Sequence, residues 1–195
     1  ITIISCIIVV KSNTILSNIQ LFDHPNYFRK DLYTSMNTLT YENLHETKKH
    51  VSIHFPYNTY LCSIPLDFTQ VPLHWHNDVE IIVIKKGCGI ISVDTKPRVV
   101  KAGDIVLVRP GQLHSISQHG KDCMEYENIL FQTSLLYSAD SDPRTVGYFQ
   151  PYFSLEYELP WLFDDTCFFH EELSSCIDAI DDLCSKRPDY YELSV

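Results

Sequence analysis

From Val51 to about Leu136 the chain is a succession of short runs rich in Ile, Val, Tyr and Phe, broken by turn residues every 8 to 12 positions. That rhythm constrains the fold more than any other feature. The runs are too short for ordinary helices, and β-branched and aromatic residues suit a pleated, half-buried surface. Regular reversals at this interval are the pattern of an all-β sandwich or barrel. The predicted strands are Val51–Phe55, Tyr60–Ile64, Val79–Lys85, Ile90–Asp94, Arg98–Val100, Ile105–Val108, His114–Gln118 and Glu125–Thr133. Gly87, Gly89, Pro97, Gly103 with Asp104, and Pro110 with Gly111 fall between them, where a free or preset φ favours a tight reversal. Eight such strands suit a closed barrel or jelly roll whose interior can hold one small ligand.

The flanks read differently. Residues 1–50 form an amino-terminal arm to which the sequence assigns no function. Its apolar run Ile1–Val10 is too short to cross a bilayer. The run has no basic segment before it and no small-residue cleavage site after it, so an edge or swapped strand is favoured over a signal peptide. The polar stretch from Asn37 to His50 has room for a short helix. Beyond the barrel, Phe168–Lys186 reads as a helix, because Leu173, Cys176, Ile177, Ile180, Leu183 and Cys184 recur at the spacing of one helical face. Glu171 and Glu172 in its first turn, and Lys186 and Arg187 in its last, complement the helix dipole, and Pro188 stops it. A second helix is expected to begin near Asp189. With Val195 one or two turns further and no Met at position 1, the sequence reads as truncated inside an element.

Charge and cysteine content narrow the function. The formal net charge is −10. Residues 1–138 hold 12 acidic and 12 basic side chains and residues 139–195 hold 13 acidic and 3 basic, so the excess lies in the last 57 residues. A grip on a phosphate backbone needs clustered Lys and Arg, and neither part supplies it. The seven cysteines are odd in number, scattered and without a C-x-x-C pair, which points to buried reduced thiols and a cytoplasmic location.

Chemistry concentrates in two segments. In Pro72-Leu-His-Trp-His-Asn-Asp-Val-Glu80, His74 and His76 share one face of a strand, Trp75 takes the other, and Glu80 can rejoin the histidines after the Asn77-Asp78 turn. Trp75 is therefore read as core packing. The second segment, Gly103-Asp-Ile-Val-Leu-Val-Arg-Pro-Gly-Gln-Leu-His114, brings a third histidine from a distant strand. Three imidazoles and a carboxylate converging in a barrel can hold Zn, Ni, Fe or Mn with positions left open; the plainer reading is a polar lining that hydrogen-bonds a small ligand. His24, His45, His50, His54, His119 and His170 match no pattern and are expected to be structural or surface residues.

These residues carry a family resemblance. His74-x-His76-x-x-x-Glu80 with Gly87 seven residues on resembles the first cupin motif, and Gly103 with His114 eleven residues on resembles the second. Two departures touch the turn more than the ligands: Pro110 directly precedes Gly111, where the motif has one residue between, and Gln118 stands where Asn is frequent. Phe55-Pro-Tyr, Pro65-Leu-Asp-Phe68, Val71-Pro-Leu-His-Trp-His and Ala102-Gly-Asp-Ile-Val-Leu-Val-Arg-Pro-Gly-Gln-Leu-His-Ser-Ile116 resemble the amino-terminal cupin of AraC-type transcription regulators.

The resemblance implies a mainly β chain, a cupin double-stranded β-helix over residues 51–137, followed over 138–195 by a loop and a helical dimerisation segment. It implies an effector-sensing domain that binds a small molecule, a sugar by analogy, in a pocket of His74, His76, Glu80 and His114. It further implies a homodimer through Leu173, Ile177, Ile180 and Cys184, no membrane partner, and DNA contact only through a carboxyl-terminal domain absent from this chain. On that reading the chain is not an enzyme. The alternative is a stand-alone metal-dependent cupin, of dioxygenase or sugar isomerase type, using the same four residues.

Overall fold

A computed structural model describes residues 38–136, 143, 150, 152–155 and 159–195. The Ile1–Val10 strand expected from the sequence lies outside them. The described residues fall into two compact units divided between Phe163 and Asp164.

The larger unit is built on eight strands: β1 (Tyr57–Ile64), β2 (Gln70–His74), β3 (Val79–Val93), β4 (Lys96–Lys101), β5 (Ile105–Val108), β6 (His114–Gln118), β7 (Met124–Phe131) and β8 (Leu162–Phe163). A short helix, α1 (Thr38–Glu42), precedes them. All the strand pairs are antiparallel. β3 belongs to two sheets: residues 79–87 pair with β7 and 80–83 with β5, whereas 88–93 pair with β4 and 89–93 with β6. One sheet runs β1-β7-β3-β5-β8, and the other joins β2, β6, β3 and β4. This is the two-sheet cupin architecture, with the core between its faces. Ile64, Ile82, Ile84, Ile91, Val93, Val100, Val106, Val108, Ile116, Met124 and Tyr126 form one buried cluster there.

The sharing of β3 corrects the sequence reading, which divided it at Gly87. The ladder to β7 slips between Ile84 and Lys86. Gly87 lies just beyond at φ +73°, and a Cβ there would stand 1.8 Å from the Cys123 carbonyl oxygen. The glycine thus serves a bulge inside one strand, where the chain bends from one sheet into the other. Two further differences have local causes. Val51–Phe55 is a turn: the Ser52 hydroxyl donates to the Phe55 carbonyl at 3.0 Å and accepts from the Phe55 N–H at 3.1 Å, leaving Ile53 exposed. Conversely β2 pairs with β6 despite Pro72, with its register broken between Val71 and His74, where the proline can donate nothing.

In the smaller unit, α2 spans His170–Lys186, with Glu171 and Glu172 in its first turn and Lys186 in its last. Arg187 ends it in the left-handed conformation, its N–H donating to the Leu183 carbonyl at 2.8 Å. Ile177 and Ile180 are buried, and Leu173 and Cys184 are half-buried. The second helix expected near Asp189 is a single 3-10 turn at Tyr191–Leu193. Cys62, Cys88, Cys123, Cys167 and Cys184 are free thiols, but Cys176 is disulfide-bonded, against the expectation of a wholly reduced set. Among the described residues no helix is long and apolar enough to cross a membrane.

Candidate functional site

Two strand ends and one turn set the geometry. His74 closes β2 and pairs with His114, which opens β6 and also pairs with Val93 of β3. Glu80 is the second residue of β3, beside Val108 of β5 and Leu130 of β7. His76 lies in the connection before β3, and its carbonyl accepts the Gly111 N–H at 2.8 Å, tying the two motif segments together. Arg109 reinforces that turn: its backbone N–H donates to Gln112 Oε1 at 2.8 Å and its guanidinium to the Ser154 carbonyl at 2.8 Å. Gln112 in turn donates to Asp94 Oδ2 at 2.7 Å.

The four predicted side chains meet. Glu80 Oε2 stands 3.0 Å from His76 Nε2 and 3.0 Å from His114 Nε2. One ring nitrogen from each of His74, His76 and His114 lies within 4.8 Å of the others. Glu80, His76 and His114 are buried, while the His74 side chain keeps 18% of its surface exposed.

His74 Nδ1 lies 2.8 Å from the Pro72 carbonyl, His76 Nδ1 3.0 Å from that of Asp78, and His114 Nδ1 2.9 Å from that of Gln112. A carbonyl only accepts, so each Nδ1 carries a proton and each Nε2 is left for the site; His76 Nε2 donates to the Glu80 carboxylate at 3.0 Å. Ring nitrogens of three histidines and a carboxylate oxygen thus lie close together, with a proton shared between His76 Nε2 and Glu80 in the metal-free protein. The buried His114 Nε2 makes no hydrogen bond, although it stands 3.0 Å from Glu80 Oε2. Tetrahedral coordination at about 2.1 Å would hold such donors about 3.4 Å apart. The donor set, its spacing and the carbonyl-oriented rings thus fit a divalent transition metal.

Electrostatics follow from this crowding. Burial works to raise the Glu80 pKa, but the contacts with His114 and His76 outweigh it and hold the carboxyl far below its usual range. Burial likewise opposes charge on His76, and the hydrogen bond and charge of Glu80 overcome it, raising the imidazole pKa. His74 is lowered by burial and by neighbouring His114.

The sequence reading did not find the rest of the wall. Glu46 Oε2 lies 2.8 Å from His50 Nε2 and 3.6 Å from His74 Nε2. The His50 ring is 5.9 Å from that of His76. The described end of the arm is held here through Trp75, whose indole stacks on Tyr41 at 4.7 Å and on His45 at 4.1 Å and donates from Nε1 to the Tyr41 carbonyl. Backbone bonds from Trp75 to Leu44 and from Glu46 to Trp75 complete the clasp. On the inner sheet face, Asn128 stands opposite Tyr60 and Ile82, its Oδ1 buried without a hydrogen-bond partner. Glu46 and His50 reach the histidines through tertiary pairing of the arm; no spacing in the sequence announces them.

Comparison with known proteins agrees with the sequence resemblance. Residues 67–166, just over half of the chain, match the family model of the AraC-like ligand binding domain. The chain is 24% identical over 160 residues to an uncharacterized HTH-type transcriptional regulator, YdeC, of Bacillus subtilis (strain 168), covering 79% of this chain and 52% of the relative. It thus spans about half the length of that relative. Among solved structures, a cupin protein from Bacteroides fragilis aligns at 23% identity over 46% of this chain and 75% of its own, with a TM-score of 0.38. A predicted oxalate decarboxylase from Thermotoga maritima aligns at 26% identity over 41% and 70%, with a TM-score of 0.37.

Proposed function

The chain belongs to the family of AraC-like ligand-binding domains, and from that premise we propose that its barrel is the effector sensor of a cytoplasmic transcription regulator. It reports a small molecule to a DNA-binding domain carried elsewhere in the full protein. The observation that supports this reading is the buried polar cluster of His76, Glu80 and His114, where His114 Nε2 makes no hydrogen bond, together with the unpartnered Asn128 Oδ1 on the inner face of β7. Buried polar atoms cost free energy when left unpaired, so a ligand that satisfies them binds with a corresponding gain.

His74, His76, His114 and Glu80 would hold a divalent transition metal, Zn, Ni, Fe or Mn, which when bound would supply a Lewis-acidic contact for an oxygen of the effector. The protein's own groups define the rest of the recognition. Asn128 Oδ1 accepts a hydrogen bond and so selects a donor, as a hydroxyl of a sugar offers. Glu46 and His50 close the pocket from the arm side. Dimerisation through α2 belongs to the same proposal.

A thermal-shift panel of pentoses, hexoses and hexuronates tests it. A true effector at about 100 times its Kd stabilises by about 2.7 kcal/mol. The shift should disappear in His114→Ala and Asn128→Leu proteins that retain the wild-type circular dichroism spectrum. A shift that survives both substitutions contradicts the pocket assignment. Turnover of the stabilising sugar, or oxygen uptake by the metal-loaded protein, contradicts the sensor reading in favour of an isomerase or dioxygenase.

A further inference from the structure

Outside the barrel pocket, a second cluster of donor atoms lies where the far half of β3 meets the β6–β7 hairpin. The turn linking β6 and β7 is closed by a bond from the Asp122 N–H to the His119 carbonyl at 2.9 Å, with Gly120 at φ +58° inside it. Gln118 Nε2 donates to the Asp122 carbonyl at 3.0 Å and steadies it. Cys88, held in β3 by its N–H bond to the Cys123 carbonyl at 3.1 Å, faces the turn. Its Sγ lies 3.1 Å from Asp122 Oδ2 and 3.8 Å from His119 Nδ1, and His119 Nδ1 lies 2.9 Å from the same Oδ2. Three donors from two elements thus converge on one point. Side-chain exposures of 45% for His119 and 53% for Asp122 leave that point open to solvent.

We propose that Cys88, His119 and Asp122 form a surface site for a thiophilic divalent metal, zinc foremost, with three protein ligands and one position left for water or an exogenous ligand. Tetrahedral zinc with ordinary Zn–S, Zn–N and Zn–O bonds sets donor separations of about 3.4 to 3.6 Å, so each observed separation needs a change of only about half an ångström or less. The set mixes thiolate, imidazole and carboxylate, which zinc and cobalt accept and calcium and magnesium do not.

The same three residue types could instead suggest a nucleophilic thiol with its base, but the geometry opposes that. A relay needs the acid on one imidazole nitrogen and the nucleophile on the other; here Sγ and Oδ2 both approach Nδ1. The direct hydrogen bond from the thiol to Asp122 raises the Cys88 pKa, opposite to activation. In metal binding the Cys88 S–H bond breaks, a sulfur–metal bond forms, and one proton leaves to solvent. No electron is transferred.

Cobalt(II) titration of the protein, reduced with a phosphine that does not ligate the metal, tests the site independently of the barrel. A thiolate ligand produces a near-ultraviolet sulfur-to-cobalt charge-transfer band, and the imidazole–carboxylate pocket contains no thiolate. The band should appear in wild-type, Cys123→Ser and His76→Ala proteins, saturate at one equivalent in His76→Ala, where the barrel site is disabled, and be displaced by zinc. It should vanish in Cys88→Ser. Since loss of an outer-shell partner already costs about 10–100-fold in affinity, His119→Ala should weaken binding at least about 100-fold. Absence of the band at saturating cobalt, or its persistence in Cys88→Ser, overturns the site. Loss of the barrel metal leaves this result unaffected, so failure of the sensor reading and failure of this site are separable.

Discussion

At the scale of the residue, Glu80 decides the character of the pocket. It is the buried anion shared by two imidazoles, and its pairing gives the metal-free protein a pH dependence of mixed sign. The depressed Glu80 pKa contributes stability that is complete above the ordinary carboxylate value, about 4.3, and is lost as pH falls through the lower folded value. His74, also depressed, favours the folded state above the ordinary imidazole value of about 6.5 and loses that contribution on acidification. His76, raised, has the opposite sign: its contribution is present below about 6.5 and is lost as pH rises through its folded value. Denaturant midpoints should therefore fall steeply in acid. Glu80→Gln should cost about 1–3 kcal/mol near neutrality and flatten the acid limb. An unchanged acid limb would show that the Glu80 ion pairs are not its source.

At the scale of the element, β3 carries the fold, and Gly87 allows it to serve two sheets. Gly87→Ala would force an L residue to positive φ, which costs about 1–2 kcal/mol, and would drive its Cβ into the Cys123 carbonyl. The expected loss of stability is about 2 kcal/mol or more by urea titration. Gly103→Ala is a useful comparison, because it shares the positive φ but a Cβ there meets nothing within 4 Å. Equal losses at both sites would mean that the carbonyl contact contributes nothing.

The same strand shows what a reading of the sequence can and cannot reach. Ile105–Val108 and His114–Gln118 coincide with β5 and β6, because a short apolar run, an alternating stretch and the turn residues that flank them are local signals. Gly87 misleads, since a bulge glycine and a turn glycine look alike until the partner strand is known. The strand read through His74 and His76 ends at His74, so that His76 reaches the site from the connection to β3. His74, His76, Glu80 and His114 lie in short motifs and their convergence was legible from spacing; the approach of Glu46 and His50 was not, because only tertiary pairing of the arm brings them there.

At the scale of the whole molecule, the uneven charge and the second unit bear on assembly. With 13 acidic and 3 basic side chains in residues 139–195, the chain should not bind duplex DNA at physiological salt. Salt-sensitive, sub-micromolar binding in a gel-shift titration would contradict this. Ile177 and Ile180 are each 3% exposed within a single copy, so charging them would empty the chain's own core. The half-buried Leu173 and Cys184 are the better probes of dimerisation along α2. Leu173→Glu with Cys184→Glu should convert a dimer to a monomer in light scattering while the melting transition persists. A dimer that survives places the interface away from α2.

His74, His76, His114 and Glu80 bring three imidazoles and a carboxylate to one site suited to a cation, and elemental analysis of protein purified without chelator measures whether one is held there. The measurement belongs in the Cys88→Ser background, where only the barrel donors are intact. It should find up to one divalent transition metal per chain, lost in His76→Ala and released as pH falls below about 6.5, where protons compete for the imidazoles. Metal-free protein that also fails to take up added zinc, nickel, iron(II) or manganese at micromolar concentration would contradict this reading.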